Sequence, residues 1–151
     1  MKKSPLQYRC AIIGCGGRGR MHALAYQHVS RGELVACCDR NGENLERFTQ
    51  EFQLNGYNSM REMIEKEKPD LIHLVTSPKE RVELMTLVSE MGVPACIVEK
   101  PVALEVQDWK ALVSLEQHSR TKFAVGAQFR YHPDLNRCRD AVQSGNSGKE
   151  T

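Results

Sequence analysis

The chain has 151 residues, of which 40% are hydrophobic and 26% are charged, as expected for one globular domain with a sizeable core. Its net charge of +2 is spread along the sequence, which argues against nucleic acid as a partner. No apolar run approaches the ~20 residues that cross a bilayer. No apolar signal segment follows Lys2 and Lys3, so we expect no membrane association and a cytoplasmic location. The six cysteines form no C-x-x-C pair, and their spacing predicts no metal site.

Strand-like and helix-like segments alternate along the chain. Strands are predicted over residues 9–13, 33–38, 71–75, 95–98 and 123–127. Helices are predicted over 18–31, around 45–52, from 59 to the stop at 68–70, from 77 to 92, and over 105–119 and 133–143. In the first helix we expect Met21, Leu24, Ala25 and His28 near one face. The alternation predicts an α/β fold with a doubly wound, mostly parallel sheet and right-handed crossovers.

The glycine-rich turn after the first strand is the strongest functional signal. Gly14, Gly16 and Gly19 fit the pattern G-x-G-x-x-G between a strand and a helix. Such glycines let the backbone turn tightly and approach a diphosphate, which rests on the positive end of the helix. Asp39 follows Gly19 by 20 residues at the end of the second strand, where an acidic residue binds ribose hydroxyls. The combination predicts a dinucleotide site, although the glycine pattern alone also occurs in flexible loops.

A second motif, Glu99-Lys100-Pro101, directly follows a predicted strand. Ligands bind outside the carboxyl ends of strands in open parallel sheets, so Lys100 could hydrogen-bond a substrate hydroxyl. The tripeptide alone equally describes an ordinary surface lysine in a turn. A cis peptide before Pro101 would aim the lysine, and the sequence leaves the isomer open.

Together these motifs resemble the glucose–fructose oxidoreductase / inositol dehydrogenase / rhizopine-catabolism (Gfo/Idh/MocA) family. His22, three residues after Gly19, and the turn Thr76-Ser77-Pro78 add to the resemblance, and residues 128–133 are similar to the family's passage out of its cofactor domain. The resemblance covers about residues 8–145. It implies a Rossmann NAD(P)-binding domain over residues 1–128, and a crossover helix and the start of a second domain over 129–151. The family's C-terminal α/β substrate domain is expected to be absent from these 151 residues.

The resemblance also implies a set of site residues. The diphosphate is expected on Gly14, Gly16, Gly17, Arg18 and Gly19, and the adenosine ribose on Asp39. The nicotinamide side is expected at Thr76, Ser77 and Pro78, with Glu99 and Lys100 at the reacting end and Lys100 as the catalytic residue. Gln128 and Arg130, together with Lys100, are expected to border the substrate. The implied activity is oxidation or reduction of a sugar, cyclitol or related polyol.

The sequence leaves several alternatives open. Asp39 favours NAD, whereas the neighbouring Arg40 could stack on adenine or clamp the extra phosphate of NADP. The chain could instead be a dinucleotide-binding module or regulatory subunit without turnover, or part of an NAD-dependent glycoside hydrolase, whose turn Gly17-Arg18-Gly19-Arg20 resembles. Val82 stands where the family often has a histidine, and His22 and His73 are expected to be structural. Sheet surface left uncovered by a second domain is expected to favour a homo-oligomer or a partner chain.

Overall fold

The computed structural model describes residues 7–145, which form one six-stranded, fully parallel sheet with helices on both faces. The strands are β1 (Tyr8–Ile13), β2 (Gly32–Cys38), β3 (Asn55–Tyr57), β4 (Leu71–Leu74), β5 (Ala95–Val98) and β6 (Lys122–Val125). The helices are α1 (Gly17–Ala25), α2 (Gly42–Phe52), α3 (Met60–Glu67), α4 (Arg81–Glu90), α5 (Val106–His118) and α6 (Pro133–Gln143). Short 3-10 turns cover Tyr26–His28, Pro78–Glu80 and Gln128–Tyr131.

The strand order is β3-β2-β1-β4-β5-β6, so the order reverses between β1 and β4. Ligands of doubly wound sheets bind at this switch point, outside the carboxyl ends of the strands. The glycine turn follows β1. The loop that contains Val75, Thr76 and Ser77, called the Thr76 loop below, follows β4. The two candidate segments therefore meet at the position that the topology makes available for a ligand.

Side chains of the central strands alternate between two buried layers. Ile12 of β1 packs in one apolar cluster with Ala23 of α1 and Phe48 of α2. The neighbouring Ile13 packs in the other cluster, which includes residues from α3, α4 and α5. Burial of apolar surface on both faces explains why β1 and β4 are nearly continuous apolar runs.

The structure confirms the predicted fold class and the five predicted strands, with ends that shift by one or two residues. It adds β3, which pairs with the end of β2. Sequence analysis missed this strand because its three residues, Asn-Gly-Tyr, form no apolar run. Ser59 is the N-cap of α3, and its Oγ accepts from Glu62 N at 3.3 Å.

The first helix differs from its prediction. It ends at Ala25, a 3-10 turn follows, and β2 already begins at Gly32. The prediction also chose the wrong face, because Gly19 and Ala23 are the buried positions of α1 whereas Met21 is 59% exposed. Close packing onto the sheet favours the smallest side chains here, and that requirement overrides hydrophobicity.

Apolar side chains remain exposed at the β6 side of the sheet. Val125, Phe129 and Tyr131 are between 50% and 77% exposed, and α6 buries no residue. Within residues 7–145, the structure contains no helix with the length and apolar character needed to cross a membrane. The polar tail 144–151, which its sequence predicts to be loose, falls mostly outside the described residues.

Candidate dinucleotide-binding site

The glycine turn is fixed by close backbone contacts. Gly14 has a φ of +105°, and a Cβ added to it would lie 3.0 Å from the carbonyl carbon and oxygen of Val75. A Cβ on Gly19 would lie 2.0 Å from the carbonyl oxygen of Gly14. Only glycine avoids both the strained conformation and the overlap. The glycine turn is therefore packed against the Thr76 loop on one side and against α1 on the other.

The start of α1 is open where the turn needs to receive an anion. A Cβ on Gly16 or Gly17 would meet no protein atom within 4 Å, and both residues are exposed. Gly16 is the N-cap of α1 and offers no side-chain cap, and no acidic residue lies in the first turn. The first backbone N–H groups of the helix are therefore free for an anionic ligand, which the positive end of the helix dipole favours.

Asp39 ties this turn to the end of β2. Its Oδ2 accepts a hydrogen bond from Cys15 N at 2.7 Å, and its Oδ1 accepts from Asn41 N at 2.8 Å. The hydrogen bond with Cys37, and then burial, raise the pKa of the Cys15 thiol, so no thiolate charge opposes an anion at the turn. One carboxylate thus lies beside the free helix end without occupying it.

A cavity of about 500 Å³ extends from the glycine turn along the carboxyl ends of β1, β2 and β4. Its lining includes Gly14, Gly16, Asp39, Arg40, Thr76 and Ser77. Arg40 and Glu80 form an ion pair across its margin, with the Arg40 side chain 78% exposed. Pro78 opens the 3-10 turn that Ser77 caps through its Oγ, which accepts from Lys79 N at 3.4 Å.

Arg81 supports the Thr76 loop from inside the protein, a role that sequence analysis missed. Arg81 is 1% exposed, and its guanidinium donates to the carbonyl oxygens of Leu74 and Thr76 at 2.8 and 3.0 Å. Burial lowers the pKa of this guanidinium, although arginine stays charged at neutral pH. Nothing in the sequence pattern distinguishes Arg81 from a surface arginine at the start of a helix.

Glu99 is 7% exposed and lies in a second space, a groove of about 590 Å³. Its Oε1 pairs with His22 Nε2 at 2.9 Å, and its Oε2 lies 3.9 Å from Arg18 Nε. A Cβ on Gly126 would lie 3.3 Å from Oε1, so the carboxylate is enclosed by α1, β5 and the end of β6. Lys100 is exposed beside it, and the Lys100–Pro101 peptide is cis.

Two further side chains, His73 and Tyr26, extend the chain of polar contacts that begins at Glu99 and His22. His22 Nδ1 lies 3.0 Å from His73 Nδ1, and His73 Nε2 lies 2.7 Å from the hydroxyl of Tyr26. Burial, and then the neighbouring His22, lower the pKa of His73 to about 4, so this imidazole is neutral at pH 7. Sequence analysis placed both histidines as structural residues but did not connect them, because they are separated by 51 positions.

The predicted site residues therefore fall into two groups. Asp39, Arg40, Thr76 and Ser77 line the cavity with Gly14 and Gly16, whereas a groove of about 590 Å³ contains Arg18, Glu99 and Gln128. Arg130 is exposed in the 3-10 turn after β6 and lines neither space, and the predicted residues Gly17, Gly19, Pro78 and Lys100 line neither.

The open helix end, the obligate glycines and the Asp39 carboxylate at the switch point define a dinucleotide-binding domain of the Rossmann type. Residues 8–127 match the family model for the Gfo/Idh/MocA oxidoreductase family, NAD-binding Rossmann fold. The chain belongs to this family, and the resemblance drawn from its motifs is confirmed.

The similar proteins are longer than this chain, which matches only part of each of them. D-apiose dehydrogenase of Paraburkholderia graminis is 29% identical over 143 residues, which make up 94% of this chain and 38% of that protein. UDP-N-acetylglucosamine 3-dehydrogenase of Acidithiobacillus ferrooxidans is 26% identical over 90% of this chain and 42% of its own length. A glycosyl hydrolase family 109 protein of Phocaeicola vulgatus is 28% identical over 121 residues, covering 74% of this chain and 29% of that protein.

Solved structures give the same result. Myo-inositol 2-dehydrogenase from Lactobacillus plantarum superposes with a TM-score of 0.87 at 25% identity, over 95% of this chain and 43% of that one. The WlbA dehydrogenase from Bordetella pertussis, solved with NADH and UDP-GlcNAcA, has a TM-score of 0.85 at 26% identity over 92% and 42%. The chain thus spans about two fifths of the length of these relatives.

Proposed function

We propose that this chain is the cofactor-binding part of an NAD-dependent dehydrogenase that acts on a sugar, cyclitol or related polyol. The observation that carries the proposal is the uncapped start of α1, lined by Gly16 and Gly17 and bordered by Asp39. The relatives named above are dehydrogenases of a sugar, a nucleotide sugar and a cyclitol, which supports the substrate class. The free thiols of Cys10, Cys15, Cys37, Cys38, Cys96 and Cys138 support a reducing, cytoplasmic setting.

The residues of the glycine turn would hold the diphosphate through backbone N–H groups, with Arg18 adding positive charge. Asp39 would accept hydrogen bonds from the adenosine ribose hydroxyls and repel a phosphate at the same place. Arg40 is already paired with Glu80, which reduces the charge available to an NADP phosphate. These contacts favour NAD over NADP.

The reacting end of the site would lie near Glu99 and Lys100. Bound NAD supplies the group that accepts or donates a hydride. Lys100, exposed at the carboxyl end of β5, would hydrogen-bond the substrate oxygen and exchange its proton. Gln128, in the same groove as Glu99, and Arg130, in the following 3-10 turn, would border the substrate.

Parallel titrations with NADH and NADPH, followed by fluorescence, test the cofactor assignment. We expect NADH to bind the 151-residue chain more tightly than NADPH, and thermal unfolding to shift upwards with NAD and NADH. A ligand present at 100 times its Kd stabilises the native state by about 2.7 kcal/mol. Tighter binding of NADPH would contradict the role given to Asp39.

Activity of the isolated chain separates an enzyme half from a complete enzyme. We expect cofactor binding with little or no hydride transfer to a panel of polyols, since most of the substrate pocket would lie in a second domain. Robust polyol oxidation by residues 1–151 alone would contradict this expectation. In a longer form of the protein, cofactor binding without turnover on that panel would instead support a regulatory module.

Glycoside cleavage is the second candidate function. The turn Gly17-Arg18-Gly19-Arg20 and the similarity to the glycosyl hydrolase of Phocaeicola vulgatus favour it. An aryl glycoside offered to a longer form of the protein with NAD distinguishes the two reactions. Release of the aryl alcohol without net NADH formation would favour hydrolysis, whereas stoichiometric NADH would favour the dehydrogenase.

Self-association through the exposed sheet surface is part of the proposal. Val125, Phe129 and Tyr131 expose apolar area beside the groove that also contains Met21 and Ile97. Contiguous apolar area of this kind marks interaction sites on soluble proteins. Sedimentation velocity should reveal dimers or larger species, and a clean monomer at high concentration would contradict the proposal.

A further inference from the structure

We propose that Tyr26, His73, His22 and Glu99 form a proton relay that runs along one wall of the groove, from Glu99 at the reacting end to the Tyr26 hydroxyl. The inference rests on the proposed function, because oxidation of an alcohol by hydride transfer releases one proton and the reverse reaction consumes one. It assigns a task to three side chains that the cofactor contacts do not use.

The four side chains come from four elements and touch in a single line. Tyr26 lies in the 3-10 turn after α1, His73 in β4, His22 in α1 and Glu99 directly after β5. The successive heavy-atom separations are 2.7 Å from Tyr26 to His73, 3.0 Å from His73 to His22 and 2.9 Å from His22 to Glu99. Each separation is within the range of a hydrogen bond.

With Glu99 ionised and both imidazoles neutral, the chemistry of the groups sets the direction of every hydrogen bond. A Glu99 carboxylate can only accept, so His22 Nε2–H must donate to it, which leaves Nδ1 of a neutral His22 as an acceptor. His73 Nδ1–H then donates to His22, and the Tyr26 hydroxyl donates to His73 Nε2. With both imidazoles neutral, this is the one arrangement that places a single proton in each bond.

In this arrangement a proton can be passed to Glu99 by three short shifts. The Tyr26 O–H bond breaks as His73 Nε2–H forms, His73 Nδ1–H breaks as His22 Nδ1–H forms, and His22 Nε2–H breaks as Glu99 Oε1–H forms. A water molecule in the groove then protonates the Tyr26 oxygen and leaves as hydroxide. The result is a neutral Glu99 that donates to His22, with all bonds reversed, so the same shifts run backwards return the proton to water.

The surroundings of the relay are largely apolar. His73 is 9% exposed within the sheet, and all four side chains line the groove together with Leu71 and Ile97. Glu99 interacts with the charged side chains of Arg18 and Arg81. The side chain facing the Tyr26 hydroxyl besides His73 is Cys10, whose thiol is kept neutral because burial raises its pKa. Burial is also the first cause of the low pKa of His73 and the raised pKa of Tyr26, so both of these side chains are uncharged in the resting relay.

Nitrogen-15 NMR of the full 151-residue chain at pH 7.5 tests the resting arrangement. We expect His73 as the Nδ1–H tautomer and His22 as the Nε2–H tautomer. Finding His73 as the Nε2–H tautomer would overturn the proposal. Because this measurement uses the unaltered protein, it stands even where a variant fails to fold.

Exchange of the imidazole protons with water tests transfer itself. In Tyr26→Phe the entry point is lost, so exchange at His73 Nδ1–H and His22 Nε2–H should slow at least tenfold. Tyr131→Phe is the matched control, since Tyr131 is 77% exposed in the same groove and should leave both rates unchanged. Equal rates in Tyr26→Phe and the unaltered chain would show a static contact and overturn the relay. NADH fluorescence on the same samples reports the proposed function separately, because loss of NADH binding would leave the tautomers and exchange rates as they are.

Discussion

The two halves of the site are built by different means. The glycine turn and Asp39 depend on backbone shape and, apart from the approach of Gly14 to Val75, on residues within 25 positions of one another. The Glu99 side depends on side chains that are separated by 47 to 77 positions and meet only after the sheet has formed. Steric room therefore governs the first half, and a polar contact network governs the second. Small changes of side-chain volume should therefore damage the glycine turn, whereas changes of protonation should damage the Glu99 side.

The largest expected effect comes from adding a methyl group to the glycine turn. Gly19→Ala would place a Cβ 2.0 Å from the Gly14 carbonyl oxygen, so we expect a loss of about 2–5 kcal/mol in the free energy of unfolding and no detectable NADH binding. Chemical denaturation and NADH fluorescence measure both quantities.

Two other glycines make this a matched series. Gly17→Ala meets no protein atom and lies within a helix, so stability should be unchanged or rise by about 0.5–1 kcal/mol while NADH binding weakens at least tenfold. Gly42→Ala, equally open but at the start of α2, should leave NADH binding unchanged. Equal NADH affinity in all three variants would refute the steric account of the turn.

The next largest effect is a pH dependence of the free energy of unfolding, which arises from His73 on the Glu99 side of the site. The pKa of His73 is lowered from 6.5 to about 4, so the unfolded chain takes up a proton first as the pH falls. The stabilisation is complete above pH 6.5 and is lost as the pH falls towards 4, by an amount on the order of 3 kcal/mol. Urea unfolding measured between pH 7.5 and 4 should show this loss.

A pair of histidine variants isolates the contribution of His73. His73→Gln should flatten the pH dependence, whereas His118→Gln, at an exposed position, should retain it. If His73→Gln kept the full slope, the buried imidazole would not be its source. Carboxylates contribute to the slope in both variants and therefore cancel in the comparison.

A smaller effect is expected at Asp39. Asp39→Ala removes the acceptor for Cys15 N and Asn41 N, so NADH binding should weaken about tenfold, equivalent to about 1.4 kcal/mol, with a smaller change for NADPH. Glu43→Ala, an acidic residue in the first turn of α2, is the control. An NADH to NADPH affinity ratio that stays constant in Asp39→Ala would remove the basis for the NAD preference.

The smallest effect is expected at Arg40. Its ion pair with Glu80 is at the surface, and such pairs contribute little to stability. Arg40→Ala should change the Kd of NADH less than threefold and leave thermal unfolding unchanged. A large loss of NADPH binding in Arg40→Ala would mean that Arg40 leaves Glu80 to hold the additional phosphate.

Sequence analysis predicted the first half of the site more completely than the second. Gly14, Gly16, Gly19 and Asp39 follow a spacing that local chain geometry imposes, so the pattern is visible without a fold. The fold class followed equally from the alternation of segments. Reliance on periodicity also explains the wrong face assigned to α1. Periodicity finds hydrophobic side chains and does not detect a helix that packs through Gly19 and Ala23.

The contacts of Arg81 and His73 could not be predicted in this way. A buried arginine that donates to two carbonyl oxygens has the same sequence context as an exposed one. His73 lies in an apolar strand, which indicates burial, yet its partners Tyr26 and His22 become neighbours only through the order of β1, β4 and β5. Such residues are determined by tertiary packing, and only coordinates identify them.

Binding of NADH to the unaltered chain and to Gly17→Ala tests the central claim most directly. A Cβ on Gly17 would meet no atom beyond its chain neighbours and the backbone of its own helix, so we expect a methyl group there to act on a ligand at the start of α1. We predict saturable NADH fluorescence with the unaltered chain and at least tenfold weaker binding in Gly17→Ala at equal stability. No NADH binding by the unaltered chain, or the same affinity in both proteins, would contradict a dinucleotide held by the glycine turn.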